Sequence, residues 1–182
     1  MQIDNQNFTS VYQDYKQLVY NVALQYVQNT EDAEEVIQDV FVKVYQSLDK
    51  FENNSTLKTW IYRITINHSL DFLKKKNSKK YFFIFGRKSD SEPEVNNIST
   101  FEHPGIQLEN KEDAKILFDV INTLPDNQKT AFILSKIDGL SNPEVAEIME
   151  MTVSSIESLL FRAKKSLQEK LSNKFEEYRK KK

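Results

Sequence analysis

The chain has 182 residues, 39% of them hydrophobic, and a formal net charge of −2 from 25 Lys and Arg against 27 Asp and Glu, which allows one core of moderate size or two small ones. It contains no cysteine and only two histidines, His68 and His103, so disulfides, thiolate metal sites and histidine-based zinc are excluded and no cofactor is expected. Three glycines and four prolines point to a largely helical protein, and with no bilayer-length apolar run and a polar stretch from Met1 to Thr9 that does not read as a signal peptide, a cytoplasmic protein without membrane insertion is expected.

Along the chain, the first strong element is Glu31 to Leu48. Ala33, Val36, Ile37, Val40, Phe41, Val44 and Leu48 recur at helical spacing on one stripe, while Asp32, Glu35, Asp39 and Lys43 fall on another. Asp32 lies near the start, where the helix dipole favours a negative charge. The acidic stripe fits either a solvated face or a docking surface for a basic partner helix. Paired carboxylates can also serve acid–base catalysis, but no pocket, metal set or nucleophile accompanies these, and no enzyme activity is expected.

A polar loop follows, Lys50 to Thr59, holding Phe51, Asn54, Ser55 and Thr56, and then a helix predicted from about Thr56 to Lys76. Trp60, Arg63, Asn67, Asp71 and Lys74 share one stripe of it, and Leu57, Ile61, Ile64, His68 and Phe72 form the expected inner stripe. An aromatic, a cation and an amide together are what single-stranded DNA requires, since an unstacked base rests on a ring and bonds to an amide while a cation holds its phosphate. A core tryptophan and a simple Asp71 ion pair would produce the same spacing. Charge then becomes one-sided: residues 74–88 carry seven basic and no acidic residues, 89–126 two basic and nine acidic, and 152–182 nine basic and four acidic. Two cationic patches of this kind attract a polyanion, an attraction that weakens with salt. Residues 77–107, with two of the four prolines and two of the three glycines, read as a flexible linker, interrupted by the aromatic run Tyr81 to Phe85.

The stretch Gly139 to Leu167, GLSNPEVAEIMEMTVSSIESLLFRAKKSL, spells two short helices and a tight turn. Ser141 and Glu144 form a capping box around Pro143, and Val145, Ala146, Ile148 and Met149 give the first helix an apolar face. Met151 and Thr152 make the turn. Val153, Ile156, Leu160, Ala163 and Leu167 are the inner stripe of the second helix, which leaves Ser154, Ser155, Glu157, Ser158, Phe161, Arg162 and Lys165 largely outside it. A helix-turn-helix entering the major groove reads this way, as does an ordinary helical hairpin with a solvated outer face. The fold class expected is all-α: two small helical domains, residues 7–76 and 108–172, joined by the linker, the second a helix-turn-helix followed by a basic tail, 173–182.

The order of DAEEVIQDVFVKVYQSL, then TWIYRITINHSLDFLKKK, a linker, and LPDNQKTAFILSKIDGLSNPEVAEIMEMTVSSIESLLFRAKKSL resembles the extracytoplasmic function (ECF) group of bacterial RNA polymerase sigma factors. The resemblance implies that the two blocks are sigma regions 2 and 4. It implies that Asp32, Glu35, Gln38 and Asp39 dock on core RNA polymerase. It implies that Phe51, Asn54, Ser55, Thr56, Trp60, Arg63, Asn67, Lys74 and Lys75 recognise and open the minus-ten element on the non-template single strand, with Phe51 and Asn67 at the flipped base and Arg63 and the lysines on phosphates. Ser154, Ser155, Glu157, Ser158, Phe161, Arg162 and Lys165 would read the duplex minus-thirty-five element, and an anti-sigma factor is an implied partner. Departures concern specificity. Glu150 stands where relatives usually have the turn glycine, Glu157 and Leu159 where many have Arg or Lys, and the loop Glu52 to Ser55 lacks the common glycine. Two other readings use the same residues: a stand-alone helix-turn-helix regulator that binds duplex DNA without polymerase, and a metal-dependent nuclease, which would need carboxylates clustered in a cleft.

Overall fold

The computed structural model describes residues 5–52, 54–86 and 111–181, with side chains described for 8–52, 54–78 and 113–172. All the regular structure among them is helical: α1 Asn5–Val27, α2 Thr30–Ser47, a 3-10 turn Leu48–Lys50, α3 Leu57–Gly86, α4 Lys111–Ile121, α5 Asp126–Phe132, a π-helical turn Ile133–Ile137, α6 Asn142–Met149 and α7 Val153–Lys181. The chain divides into two compact units, residues 1–49 with 64–102, and residues 50–63 with 103–182. Helix α3 contributes its first turns, through Arg63, to the second unit and the rest to the first.

The first unit is built on the antiparallel pairing of α1 and α2. Helix α1 closes on Gln28, which takes the left-handed conformation at φ 55° and donates its N–H to the Leu24 carbonyl at 2.8 Å. Asn29 then caps α2, its side-chain oxygen accepting from the Asp32 N–H at 2.9 Å. Of the expected apolar stripe of α2, Ala33, Val36, Val40, Phe41 and Val44 are buried and Ile37 and Leu48 half-buried; Val19, Val22 and Tyr26 of α1 are buried as well. At one end Phe8, Tyr12, Phe41 and Tyr45 form a ring cluster, Phe8 and Tyr45 packing edge to face with centroids 5.1 Å apart.

Helix α3 differs from the expectation in face and in length. Of the predicted inner stripe only Ile61 is fully buried, and Thr59, Tyr62, Thr65, Ile66 and Ser69 are the other buried residues. Thr65 and Ser69 tolerate this because hydroxyls can bond within the helix; the Ser69 hydroxyl donates to the Thr65 carbonyl at 2.8 Å. The helix also runs past Lys76 to Gly86, since KKKNSKKYFFIF contains no breaker. The first part of the expected linker, 77–86, is thus helical; residues 87–107 lie outside the described residues, as do the side chains of Tyr81 to Phe85.

The second unit packs α5 and α6 against α7, with α4 on α7 as well. Its core holds Phe118, Ile121, Leu124, Ala131, Ile133, Leu134, Val145, Ile148, Ile156, Ala163 and Leu167. Lys129 is buried in α5, and the loss of solvent pushes its ammonium pKa down against the opposing pull of Asp126. A π turn, with Asp138 N–H bonded to the Ile133 carbonyl at 3.0 Å, ends this segment and delivers Gly139 at φ 72°, a conformation that suits glycine. Truncating Ile156→Ala, whose side chain is fully buried at the start of α7, is expected to lower the unfolding free energy by about 2–5 kcal/mol in a urea titration.

Candidate nucleic-acid interface

The turn between α6 and α7 is set by local chemistry. The Ser141 backbone N–H and hydroxyl both donate to Glu144 Oε2, at 2.8 and 2.6 Å, closing the capping box. These bonds, with a smaller contribution from Lys58, hold the Glu144 carboxyl below its usual pKa. Helix α6 ends in a Schellman motif: Met151 N–H reaches the Ala146 carbonyl at 3.0 Å and Glu150 N–H the Glu147 carbonyl at 3.3 Å. Glu150 occupies the left-handed position, φ 55° and ψ 43°, which costs a residue with a Cβ roughly 1–2 kcal/mol. Thr152 then starts α7, its hydroxyl oxygen accepting from the Ser155 N–H at 3.2 Å.

Helix α7 turns Ile156, Ala163 and Leu167 inward and leaves a polar outer face. Ser154, Glu157, Ser158, Phe161 and Arg162 together line a shallow hollow, with Phe161 72% exposed, and Lys165 is exposed further along. An exposed ring beside a guanidinium and hydroxyls can meet a thymine methyl, a guanine edge or a phosphate. Ser155 is different. It is half-buried and shares its hydroxyl with Thr152 at 2.8 Å, which makes it part of the cap.

The segment ahead of Arg63 belongs to the same unit. Phe51 and Trp60 pack with ring centroids 5.1 Å apart and both stay partly exposed. Asn54 and Thr56 are exposed and Ser55 half-buried; the Asn54 amide donates to Glu52 at 3.1 Å, and Thr56 caps α3 by accepting from the Thr59 N–H at 3.0 Å. Arg63 is engaged. Its Nη2 donates to the Glu147 carbonyl at 2.7 Å, its Nε to the Ile148 carbonyl at 3.2 Å, and Nη1 pairs with Glu150 Oε1 at 2.9 Å. A guanidinium here adds donors to the last carbonyls of a helix C-terminus, where the dipole favours a cation. Because Glu150 is 72% exposed, solvent screening limits the ion pair alone to about 0–1 kcal/mol.

Beside it, Tyr62 is buried and bonded to Asp138. Burial first, then the Asp138 charge and hydrogen bond, push its phenol well above the ordinary tyrosine pKa. The neutral phenol is therefore favoured by folding, so its contribution is complete below pH 10 and is lost as pH rises above it. In a tyrosinate absorbance titration, one of the eight tyrosines is expected to ionise last, and Tyr62→Phe to remove that late step.

In the first unit, Asn67, Lys74 and Lys75 are exposed along α3. The acidic stripe of α2 is divided. Glu35, Gln38 and Asp39 are exposed, whereas Asp32 is tied to Lys76 by an ion pair and its side chain is 17% exposed. The two engaged members, Asp32 and Arg63, were beyond sequence reasoning because their partners lie far off in the chain. Val42, 54% exposed one turn beyond Gln38 and Asp39, extends the stripe with an apolar residue that the charge pattern did not single out.

Among the described residues no helix is long and apolar enough to cross a membrane, and no group of His, Asp and Glu could hold a metal ion. Two helical units, the second carrying a helix-turn-helix with an exposed outer face, define a helical DNA-binding protein. Residues 11–79 match Sigma-70 region 2 and residues 114–167 match Sigma-70, region 4. The chain is 30% identical over 178 residues to the ECF RNA polymerase sigma-E factor of Haemophilus influenzae, covering 92% of this chain and 89% of that one. It is likewise 30% identical to the ECF RNA polymerase sigma-E factor of Escherichia coli, covering 92% and 88%. Among solved structures, CnrH in complex with the cytosolic domain of CnrY has TM-score 0.64 at 19% identity, over 93% of this chain and 91% of that one. RpoE of Bartonella quintana, in complex with the anti-sigma factor NepR, has TM-score 0.63 at 23% identity, over 92% and 98%. The chain belongs to the sigma-70 family of RNA polymerase sigma factors, in its ECF group.

Proposed function

We propose that this sigma factor binds core RNA polymerase through the exposed acidic face of α2, reads two promoter elements and helps open the start site, acting in the cytoplasm and without catalysis of its own. The observation that carries the reading is the order of the two family regions, each with an exposed polar face of suitable chemistry. Region 2 corresponds to residues 7–76 and region 4 to 108–172. In region 2, Glu35, Gln38 and Asp39 meet a basic surface of the polymerase, and Asp32 positions the start of that helix through Lys76. Phe51 and Asn67 take the flipped non-template base, Trp60 backs Phe51, Asn54, Ser55 and Thr56 line the loop, and Arg63, Lys74 and Lys75 hold phosphates. Opening a duplex without ATP must be driven by capture of unstacked bases, each worth about 1–3 kcal/mol. In region 4, Ser154, Glu157, Ser158, Phe161, Arg162 and Lys165 read the minus-thirty-five element, Glu157 as an acceptor suited to a cytosine amine, and Ser155 fixes the helix start. An anti-sigma factor is the regulatory partner, by analogy with the NepR complex of the similar RpoE.

Footprinting separates this from the stand-alone regulator. On promoter fragments, protection is expected with the chain plus core polymerase and not with the chain alone. Equal protection by the chain alone would favour the regulator.

A further inference from the structure

Arg63, which the functional reading sends to a DNA phosphate, is already held by three acceptors of the helix-turn-helix turn. We propose that Glu150 and the end of α6 form a built-in latch on the segment Lys50–Arg63, standing in for the phosphate and lowering the affinity of free sigma factor for single-stranded DNA. This rests on the assignment of that segment to the non-template strand.

Three observations carry it. First, the acceptors around Arg63 reproduce what a phosphate offers: two carbonyl oxygens at 2.7 and 3.2 Å and a carboxylate oxygen at 2.9 Å. Second, one neighbouring hydrogen bond and one longer-range charge attraction have the same polarity, the donor or cationic group on the segment Lys50–Arg63. Tyr62 donates to Asp138, and Lys58 acts on Glu144. Third, the residue that closes the latch sits in a left-handed conformation, φ 55°, where glycine would be unstrained, and a strained position is a pointer to use. Helix α6 needs the left-handed turn but not a carboxylate there; the carboxylate serves Arg63. DNA binding and the latch then compete for one guanidinium, and the apparent affinity for single strands is reduced by the latched fraction.

The test uses the full chain, with hydrogen exchange reading the latch and fluorescence anisotropy of a labelled single-stranded oligodeoxynucleotide of mixed sequence reading the competition. Glu150→Gln removes the ion pair, while Glu147→Gln removes the same charge from an exposed side chain nearby and leaves the Glu147 carbonyl to Arg63. Without DNA, Glu150→Gln is expected to speed exchange in 57–63 and Glu147→Gln to leave it unchanged. Glu150→Gln should tighten oligonucleotide binding about three- to fivefold, more than Glu147→Gln, and the gain should vanish in an Arg63→Gln background. Equal tightening by the two variants, unchanged exchange, or faster exchange with no gain in affinity would each overturn the latch as a brake on DNA binding. If Arg63→Gln does not weaken binding in the Glu150→Gln background, the assignment of Arg63 to DNA fails, whereas the exchange result still decides whether the latch closes.

Discussion

Asp39→Arg is expected to abolish stable binding of the protein to core polymerase. Asp39 is exposed on α2 beside Glu35 and Gln38, on the face opposite the buried Val36, Val40 and Val44, so the substitution changes the docking surface and leaves the core untouched. Placing a cation against a basic partner surface exchanges attraction for repulsion, at a cost of about 3 kcal/mol or more, which corresponds to at least a hundredfold loss of affinity. Thermal unfolding of the free variant should stay close to wild type, since exposed substitutions away from special features change stability little. Normal co-elution of the variant with core polymerase would remove α2 from the docking surface. Asp32→Ala makes a useful contrast. Asp32 is paired with Lys76, so its loss is expected to appear first as a modest loss of stability where the first turn of α2 is tied to α3.

The second large effect is expected at Asn67, exposed on α3. An amide that bonds to a base only after it leaves the stack acts on opening and not on the first capture of the duplex. Asn67→Ala with core polymerase should reduce the permanganate reactivity of unpaired promoter thymines by about five- to a hundredfold, the range set by 1–3 kcal/mol per captured base. The gel-shift affinity for closed duplex should hardly move. Unchanged thymine reactivity would exclude Asn67 from the melting site.

Much of the fold was legible because the relevant signals are local. Five of the seven residues of the expected apolar stripe of α2, Ala33, Val36, Val40, Phe41 and Val44, are buried, and the capping box of Ser141 and Glu144 marks the start of α6. The outer face of α7 was legible for the same reason, and five of its seven expected residues line one hollow. Helix α3 was not, because its apolar residues are spread around the axis and three of its buried positions are the hydroxyl residues Thr59, Thr65 and Ser69. Periodicity cannot choose a face in such a helix. The pairings of Arg63 with Glu150 and of Asp32 with Lys76 join residues far apart in the chain, and a single sequence carries no signal for them. Glu150 is an intermediate case. The missing glycine was visible as a departure, and the structure resolves it as a left-handed glutamate whose carboxylate has a partner.

The most direct measurement of the central claim is transcription by purified bacterial core polymerase on sheared genomic DNA, with and without this protein, with the RNA 5′ ends mapped by sequencing. The account predicts new start sites that share two spaced upstream motifs and that disappear when Asp39→Arg replaces the wild type. An unchanged set of starts, from core polymerase proven active with another sigma factor, would contradict it.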